Sequence, residues 1–566
     1  MAEDCREKIL SQKYQDFIIP DYRRNVEIVF PASRYCIQET GFGYRIIYVE
    51  EQYVEDRVTS QYVYNNIPGC FGLIDMDAVN EAGISAVQSY PTLQLQGNGI
   101  LIGFVDTGID FENPVFRNAD GSTRIVGIWD QTIQTGNLPE GFSYGSEYTE
   151  ADINDALRSE YARDIVPSVD ENGHGTAVAA IAAGGLNLEN RFQGAAPGAQ
   201  IAMVKLKEAK DYLREYYKIR QGAVCFQETD IMQGLYYLHR LADARNMPLV
   251  ICIALGSTFG GHNGAAPLPR ILSTYANIID RCVVIGGGNE AAGRRHFYGK
   301  LESEEGTVNA ELRVENGNTG FTAELWTSLP NIVTAYLVSP SGERSPSISI
   351  RQGNEFSFTF PFEQTRVDVK YQLLMNNNDS QRLFFRFTNP AEGIWRLEVE
   401  ALEISDGEFH IWLPLREFTD GNVYFLQSDP DLTLTEPGSS RGAMTVSYYD
   451  GRYNSVDINS GRGYTRNRVI KPDFAAPGVQ VTTAGIGGRF TEKTGSSMAA
   501  GITAGASAVI MEWLRQQPSY QGITTSQVAN IIILGARQEV LPQFPNREWG
   551  YGQMDIYQSL DRLRSL

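Results

Sequence analysis

Three separated segments each place one reactive side chain among small residues. Gly103-Phe104-Val105-Asp106-Thr107-Gly108 carries Asp106. Asn172-Gly173-His174-Gly175-Thr176 carries His174, and Gly495-Ser496-Ser497-Met498-Ala499-Ala500 carries Ser497. A serine hydroxyl is a poor nucleophile near neutral pH and needs a base within hydrogen-bond reach. Imidazole suits that task because its pKa lies near the working pH. An aspartate then holds the imidazole in one tautomer and stabilises the imidazolium. A fourth segment, Gly286-Gly287-Gly288-Asn289, follows an apolar run. Its glycines allow close backbone approach to a ligand. The Asn289 amide and the Ser497 backbone N–H would together hold an oxyanion. Each segment alone has an ordinary reading as a cap, a turn or a structural histidine. In combination they supply the parts of an acyl-transfer site.

These side chains need rigid elements to meet. Residues 100–105 read as a buried strand ending at Asp106, and functional groups gather at the C-terminal ends of parallel strands. His174 opens the small-residue run 176–183, and Ser497 precedes another at 498–505. Both therefore stand at helix starts, where backbone N–H groups face developing negative charge. Further strands are expected at 201–206, 249–254 and 282–285, with helices over 230–246 and 270–280. Apolar strands alternating with helices predict a parallel sheet covered on both faces.

From about residue 300 to 430 the rhythm changes to short alternating segments, such as 310–314, 335–338 and 395–399. Turn signals at 339–342, 376–379 and 389–393 separate them. This predicts a β-sandwich or jelly roll inserted between Asn289 and Ser497. The α/β pattern resumes near 443–446. The first ~80 residues lack the motifs, carry a strand-like run at 44–49, and predict a separate small domain.

The 566 residues are 42% hydrophobic and 20% charged, with a formal net charge of -20. Such a balance suits a soluble globular chain and disfavours nucleic acid or an anionic membrane as partner. Cys5, Cys36, Cys70, Cys225, Cys252 and Cys282 show no CxxC spacing. The expectation is therefore no disulfide scaffold, no metal site and a reducing compartment. The charged start lacks a secretory signal, which predicts synthesis in the cytoplasm. No apolar stretch reads as long enough to span a bilayer.

The order Asp, His, Ser resembles that of the subtilisin-like serine proteases. Asp106, His174, Ser497 and Asn289 match that family's motifs, and Lys471-Pro472-Asp473-Phe474-Ala475-Ala476-Pro477-Gly478 matches its loop before the serine. Gly501 and Ile502 stand where the family usually has proline and histidine, and Ala177 replaces a second histidine. None of these is a triad member. A narrower resemblance, to the clostridial Csp germination proteases, rests on the insertion, the leading domain and the segments 204–210 and 227–231.

The resemblance implies an α/β subtilisin-like fold with an α+β prodomain over 1–80. A catalytic domain would span 81–299 and 431–566, with the jelly-roll insertion at 300–430. It implies an endopeptidase without cofactor, acting on a protein or peptide substrate. The prodomain would be cut off autocatalytically near Leu73–Asn80 and stay bound as inhibitor and chaperone. It also implies activation of a cortex-hydrolase precursor in germinating spores. A broader intracellular or gut-commensal peptide-cleaving role, or a pseudoprotease that only binds, are the alternatives. Leu255, Gly256 and Ser257 would form one wall of the substrate pocket, and Gly287 and Gly288 the other. Glu290 beside that pocket could select a basic residue or simply be an exposed carboxylate. Trp326, Trp395 and Trp412 raise glycan binding by the insertion against a role in its core.

Overall fold

A computed structural model describes residues 2–21, 35–54, 64–73, 78–79, 88, 95–348, 355–374, 379–538 and 542–564. Its centre is a nine-stranded sheet. The strands run in the order Ser455–Val456, Met444–Asp450, Arg281–Gly286, Leu249–Ile253, Leu101–Asp106, Gln200–Lys205, Ile125–Asp130 and Ser146–Thr149, with Phe474–Pro477 also paired to Met444–Asp450. The interior pairs are parallel, and only the edge strands Ser455–Val456 and Ser146–Thr149 run antiparallel.

Alternation along each strand feeds two cores. Ile102, Phe104, Ile201, Met203, Val250 and Cys252 face the helices His174–Ala183 and Ser496–Arg515. Leu101, Val105, Ala202, Val204, Leu249 and Ile251 face Glu228–Ala244 and Pro267–Ala276. Burial on both faces explains why these strands are almost wholly apolar. The Ser496–Arg515 helix is long and apolar enough to cross a membrane, contrary to the sequence reading, yet 89% of its apolar window is buried inside the fold. Its small residues let it lie close to its neighbour: a Cβ at Gly501 would sit 2.5 Å from Ile181 Cγ2.

The inserted segment forms two antiparallel sheets. The six-stranded one runs His296–Lys300, Glu408–Trp412, Gly320–Ser328, Ser380–Thr388, Thr365–Leu374, Glu355–Phe360. The four-stranded one runs Ile332–Val338, Gly393–Glu403, Thr307–Val314, Val423–Phe425. Side chains of both sheets, among them Leu312, Leu325, Phe385, Trp395 and Leu397, share one core. Trp326, Trp395 and Trp412 are all buried, so no tryptophan face is open to a glycan. The expected turn at 339–342 is present, whereas residues 376–378 of the second expected turn lie outside the described residues.

The N-terminal residues form the helix Ala2–Leu10 and an antiparallel sheet in the order Tyr14–Pro20, Tyr44–Glu50, Tyr35–Glu39. Ile18, Ile46 and Tyr48 of this sheet join the core under Glu228–Ala244. A disulfide links Cys5 to Cys36, a pairing that the expectation of no disulfide scaffold did not include. The remaining four cysteines are free and buried. Two cysteines 31 residues apart carry no pairing signal in sequence; the antiparallel sheet and the helix packed on it bring them together.

Candidate active site

Asp106 is the last residue of the Leu101–Asp106 strand, and His174 is the first of the His174–Ala183 helix. Ser497 lies in the first turn of the Ser496–Arg515 helix. The strand and the two helices converge. His174 Nδ1 lies 2.7 Å from Asp106 Oδ1, and His174 Nε2 lies 3.1 Å from Ser497 Oγ. All three residues are buried. With Nδ1–H donated to the carboxylate, the Nε2 lone pair faces the serine hydroxyl, which is the tautomer a base requires.

A set of polar residues that sequence reading missed fixes this geometry. Asp170 Oδ1 accepts from Thr107 Oγ1 and Gly173 N, both at 2.8 Å, and its Oδ2 accepts from Thr176 N at 2.9 Å and Thr176 Oγ1 at 2.6 Å. Thr107 Oγ1 in turn accepts from Gly175 N at 2.9 Å. One carboxylate thus ties the start of the histidine helix to the loop after Asp106. The run Asp170-Glu171-Asn172-Gly173 is a turn signal ahead of a helix, and it is the one sequence cue to this role. Gly175 is required by contact rather than conformation: a Cβ there would lie 2.2 Å from Gly108 O.

Asn289 follows the Arg281–Gly286 strand. Its Oδ1 accepts from Ser496 N at 3.1 Å, which leaves the Nδ2 amide as a donor beside the Ser497 helix start. The amide O and N are assigned from this hydrogen bond.

The groove beside the triad is occupied by the chain itself. Cys70–Leu73 lies between Phe226–Gln227 and Leu255–Gly256, antiparallel to both. Leu255 pairs with Leu73 and Gly256 with Gly72. Ser257 N–H donates to Glu436 O at 2.9 Å, and Glu436 N–H donates to Ser257 O at 2.8 Å, so Ser257 extends that wall through its side chain only. The other expected wall differs. Gly287 donates to Val446 O and accepts from Thr435 N, while Gly288 donates to Ser496 Oγ and its carbonyl accepts from Gly461 N. Their backbone groups are therefore engaged within the protein and offer van der Waals contact rather than hydrogen bonds. The inserted unit reaches this groove too. A Cβ at Gly72 would lie 3.0 Å from Leu415 Cδ1 and 3.3 Å from Phe418 Cε1, so the strand passes under those side chains.

Glu290 is neither an exposed carboxylate nor a pocket wall of free charge. It is buried, and burial first, then Glu417, pushes its carboxyl up to about 7, with Arg295 acting in the opposite sense. Arg295 spends its Nη1 and Nη2 on Val423 O and Asn422 Oδ1 in the insertion. Glu290 thus belongs to the joint with that unit. Among the described residues no cluster of His, Cys, Asp and Glu could hold a metal ion.

The model of the Subtilase family matches residues 97–348 and 417–552. The solved CspB protease of Clostridium perfringens is similar, with a TM-score of 0.75 and 29% identity, covering 85% of this chain and 96% of that one. The C5a peptidase of Streptococcus pyogenes is 20% identical over 497 residues, 81% of this chain and 39% of that protein. The C5a peptidase of its serotype M1 is 20% identical over 494 residues. The chain spans about two-fifths of the length of these curated relatives.

Proposed function

We propose that this chain, which belongs to the subtilase family, is an endopeptidase that uses Ser497, His174 and Asp106 to cleave peptide bonds and to process its own N-terminus. The observation that carries the reading is the unbroken line from Asp106 through His174 to Ser497, at 2.7 and 3.1 Å. Ser497 Oγ attacks the carbonyl carbon as its proton passes to His174 Nε2. Asp106 stabilises the imidazolium through Nδ1–H. The tetrahedral oxyanion takes the Asn289 Nδ2 amide and the Ser497 N–H, assisted by the helix N-terminus. His174 then returns the proton to the leaving amine, and the same steps with water release the acyl group.

Residues 1–80 serve as a prodomain whose C-terminal strand reaches the groove. Cys70–Leu73 pairs with the groove walls, whereas Ala78–Val79 pairs parallel to Gln480–Val481 in another sheet. Both anchors support a scissile bond within the expected Leu73–Asn80 window. The prodomain then stays bound as an inhibitor through contacts that do not depend on the cut bond. The likeness to Csp-type proteases supports activation of a cortex-hydrolase precursor in germinating spores as the setting.

N-terminal sequencing of purified wild type and Ser497→Ala tests this. Wild type should yield a fragment starting between residues 74 and 81, and the variant only the intact chain. A fluorophosphonate probe should label Ser497 in wild type alone. An identical fragment from the variant would remove the autocatalytic reading.

A further inference from the structure

Beside the groove, two glutamates face one small cavity. Glu228 and Glu436 are both buried, and the cavity wall between them includes Ser257, Tyr217, Phe259 and Phe71. Glu228 is well satisfied. Its Oε2 accepts from Gly69 N at 2.9 Å, and its Oε1 accepts from Leu268 N at 2.8 Å. Glu436 is not: its Oε2 accepts from Ser439 Oγ, but its Oε1 has no hydrogen-bond partner. Neither carboxylate has an ion-pair partner among the described residues. Arg466, whose charge acts with that of Glu436, donates to Gly261 O, Ser328 Oγ and Ser380 Oγ instead. A buried carboxylate with a free oxygen is costly, and a second one beside it adds repulsion.

Phe71 occupies this place now. It pairs with Phe226 in the groove, and its ring runs toward Gly69. A Cβ added at Gly69 would meet Phe71 Cε2 at 3.3 Å and Glu228 Oε2 at 3.6 Å, so the far edge of the ring ends beside that carboxylate. The ring fills the apolar part of the cavity and offers no donor. An unbranched side chain ending in a cation would lay its stem along the same wall and bring its donors to the two carboxylates. Tyr217 and Phe259, stacked with centroids 4.6 Å apart, supply aromatic faces that favour a cation.

We propose that this cavity is a subsite for a cationic side chain, lysine or arginine, on the substrate residue that takes the place of Phe71. The proposal rests on the reading that substrate replaces Cys70–Leu73 between the groove walls. The bound N-terminal strand is then an incomplete occupant, which satisfies Glu228 through its backbone and leaves Glu436 Oε1 for a true substrate. The unliganded carboxyls of Glu228 and Glu436 are each pushed up to about 7 by burial. A bound cation favours the ionised form. Glu228 and Arg466 act on Glu436 through their charges, and the backbone N–H groups of Ser439 and His262 favour its ionised form against the burial.

Peptides spanning residues 65–85, with lysine or norleucine in place of Phe71, test this on the processed protein after its N-terminal fragment has been dissociated and removed. The lysine peptide should show a kcat/KM at least about tenfold higher, mostly through KM, as expected for one charge-assisted hydrogen bond. Glu436→Gln should bring that ratio close to one, and lowering pH below 7 should shrink it in wild type. A ratio near one in wild type, or one unchanged in Glu436→Gln, overturns the subsite. A second arm needs no proteolysis. In the uncut Ser497→Ala chain, Phe71→Lys should lower the melting temperature less with Glu436 present than with Glu436→Gln. Coupling there without cleavage of any peptide would sink the peptidase reading and leave the subsite standing. Absence of coupling, with both peptides cut equally, would sink the subsite alone.

Discussion

The N-terminal unit and the inserted sandwich both dock on the same catalytic sheet, yet different contacts hold them. The N-terminal unit combines an apolar contact, through Ile18, Ile46 and Tyr48, with one buried ion pair and one strand. Asp16 Oδ1 accepts from Lys210 Nζ at 2.6 Å, and Asp16 Oδ2 accepts from Gln227 Nε2 at 2.6 Å. Lys210 also donates to Tyr14 O at 3.0 Å. The sandwich relies on stacked rings. His262 stacks on Trp412 at 4.2 Å and Tyr216 on Phe384 at 5.2 Å. The sandwich is continuous with the catalytic chain at both ends, so its docking contacts only have to fix orientation. The N-terminal unit has a single covalent link, and once that link is cut its polar clamp and its apolar contacts must hold it.

The largest effect that separates the two units is chemical. Ser497→Ala should lower peptide cleavage on the order of 10⁶-fold and leave the N-terminal unit covalently joined. The sandwich should be unaffected, as judged by the protease resistance of residues 296–425. Separation of the N-terminal unit in this variant would mean that the link is broken by something other than Ser497.

Asp16→Ala comes next. It strands a buried ammonium whose pKa burial already lowers, against the pull of Asp16. Removing one partner of a buried pair costs about 3–5 kcal/mol. The cut N-terminal unit should then dissociate during gel filtration, while the sandwich joint keeps its melting behaviour. Asp16→Asn should fall between the two. If Asp16→Ala co-elutes with its fragment as wild type does, the strand rather than the ion pair holds the unit.

Asn289→Ala separates chemistry from docking. Asn289 sits just before the chain enters the sandwich, yet its amide touches neither joint. Loss of one oxyanion donor should lower kcat by about 10²–10³. Fragment retention and sandwich melting should be unchanged. A variant that loosens either unit would assign Asn289 a structural rather than a catalytic task.

The same contrast governs what could be read from the sequence. Asp106, His174, Ser497 and Asn289 were legible because each stands at the end of an apolar strand or the start of a small-residue helix. Those local patterns survive without knowledge of the fold. The parallel sheet was legible for the same reason. Glu228 and Glu436 were not, because they meet only through the groove strands that lie between them. Glu290 was expected beside the pocket, but its carboxyl is buried where Glu417 and Arg295 act on it across the joint. Gly287 and Gly288 were expected to form a wall of the substrate pocket, yet their backbone groups are taken up within the protein. Their neighbours Thr435, Val446 and Gly461 come from beyond the insertion, and no local pattern announces them.

The smallest effect distinguishes the joints by pH. Burial pushes His262 down to about 4 and His296 down to about 3. His410 is likewise driven well below its ordinary value, by burial first and then by the neighbouring histidine and arginine charges. Both His262 ring nitrogens face carbonyl oxygens, Leu434 O at 3.0 Å and Thr258 O at 3.1 Å, which pull its pKa upward against the burial. A histidine whose folded pKa lies below its unfolded value is held neutral by the fold. The unfolded chain then binds more protons below about pH 6.5, so stability falls as pH drops from there toward about 4. For His262 that loss is at most ~3 kcal/mol. The N-terminal joint holds one histidine near its surface, His239 against Phe42, also lowered first by burial. The sandwich should therefore loosen more steeply than the N-terminal unit between pH 6.5 and 4.5. Hydrogen exchange of residues 296–300 and 408–412, compared with residues 14–20 and 44–50, would measure the difference. In His262→Phe the stack on Trp412 persists without a titrating group, so part of the acid sensitivity of the 408–412 strand should disappear. Equal loosening of both units in that window would mean that the ring stack is not what acid attacks.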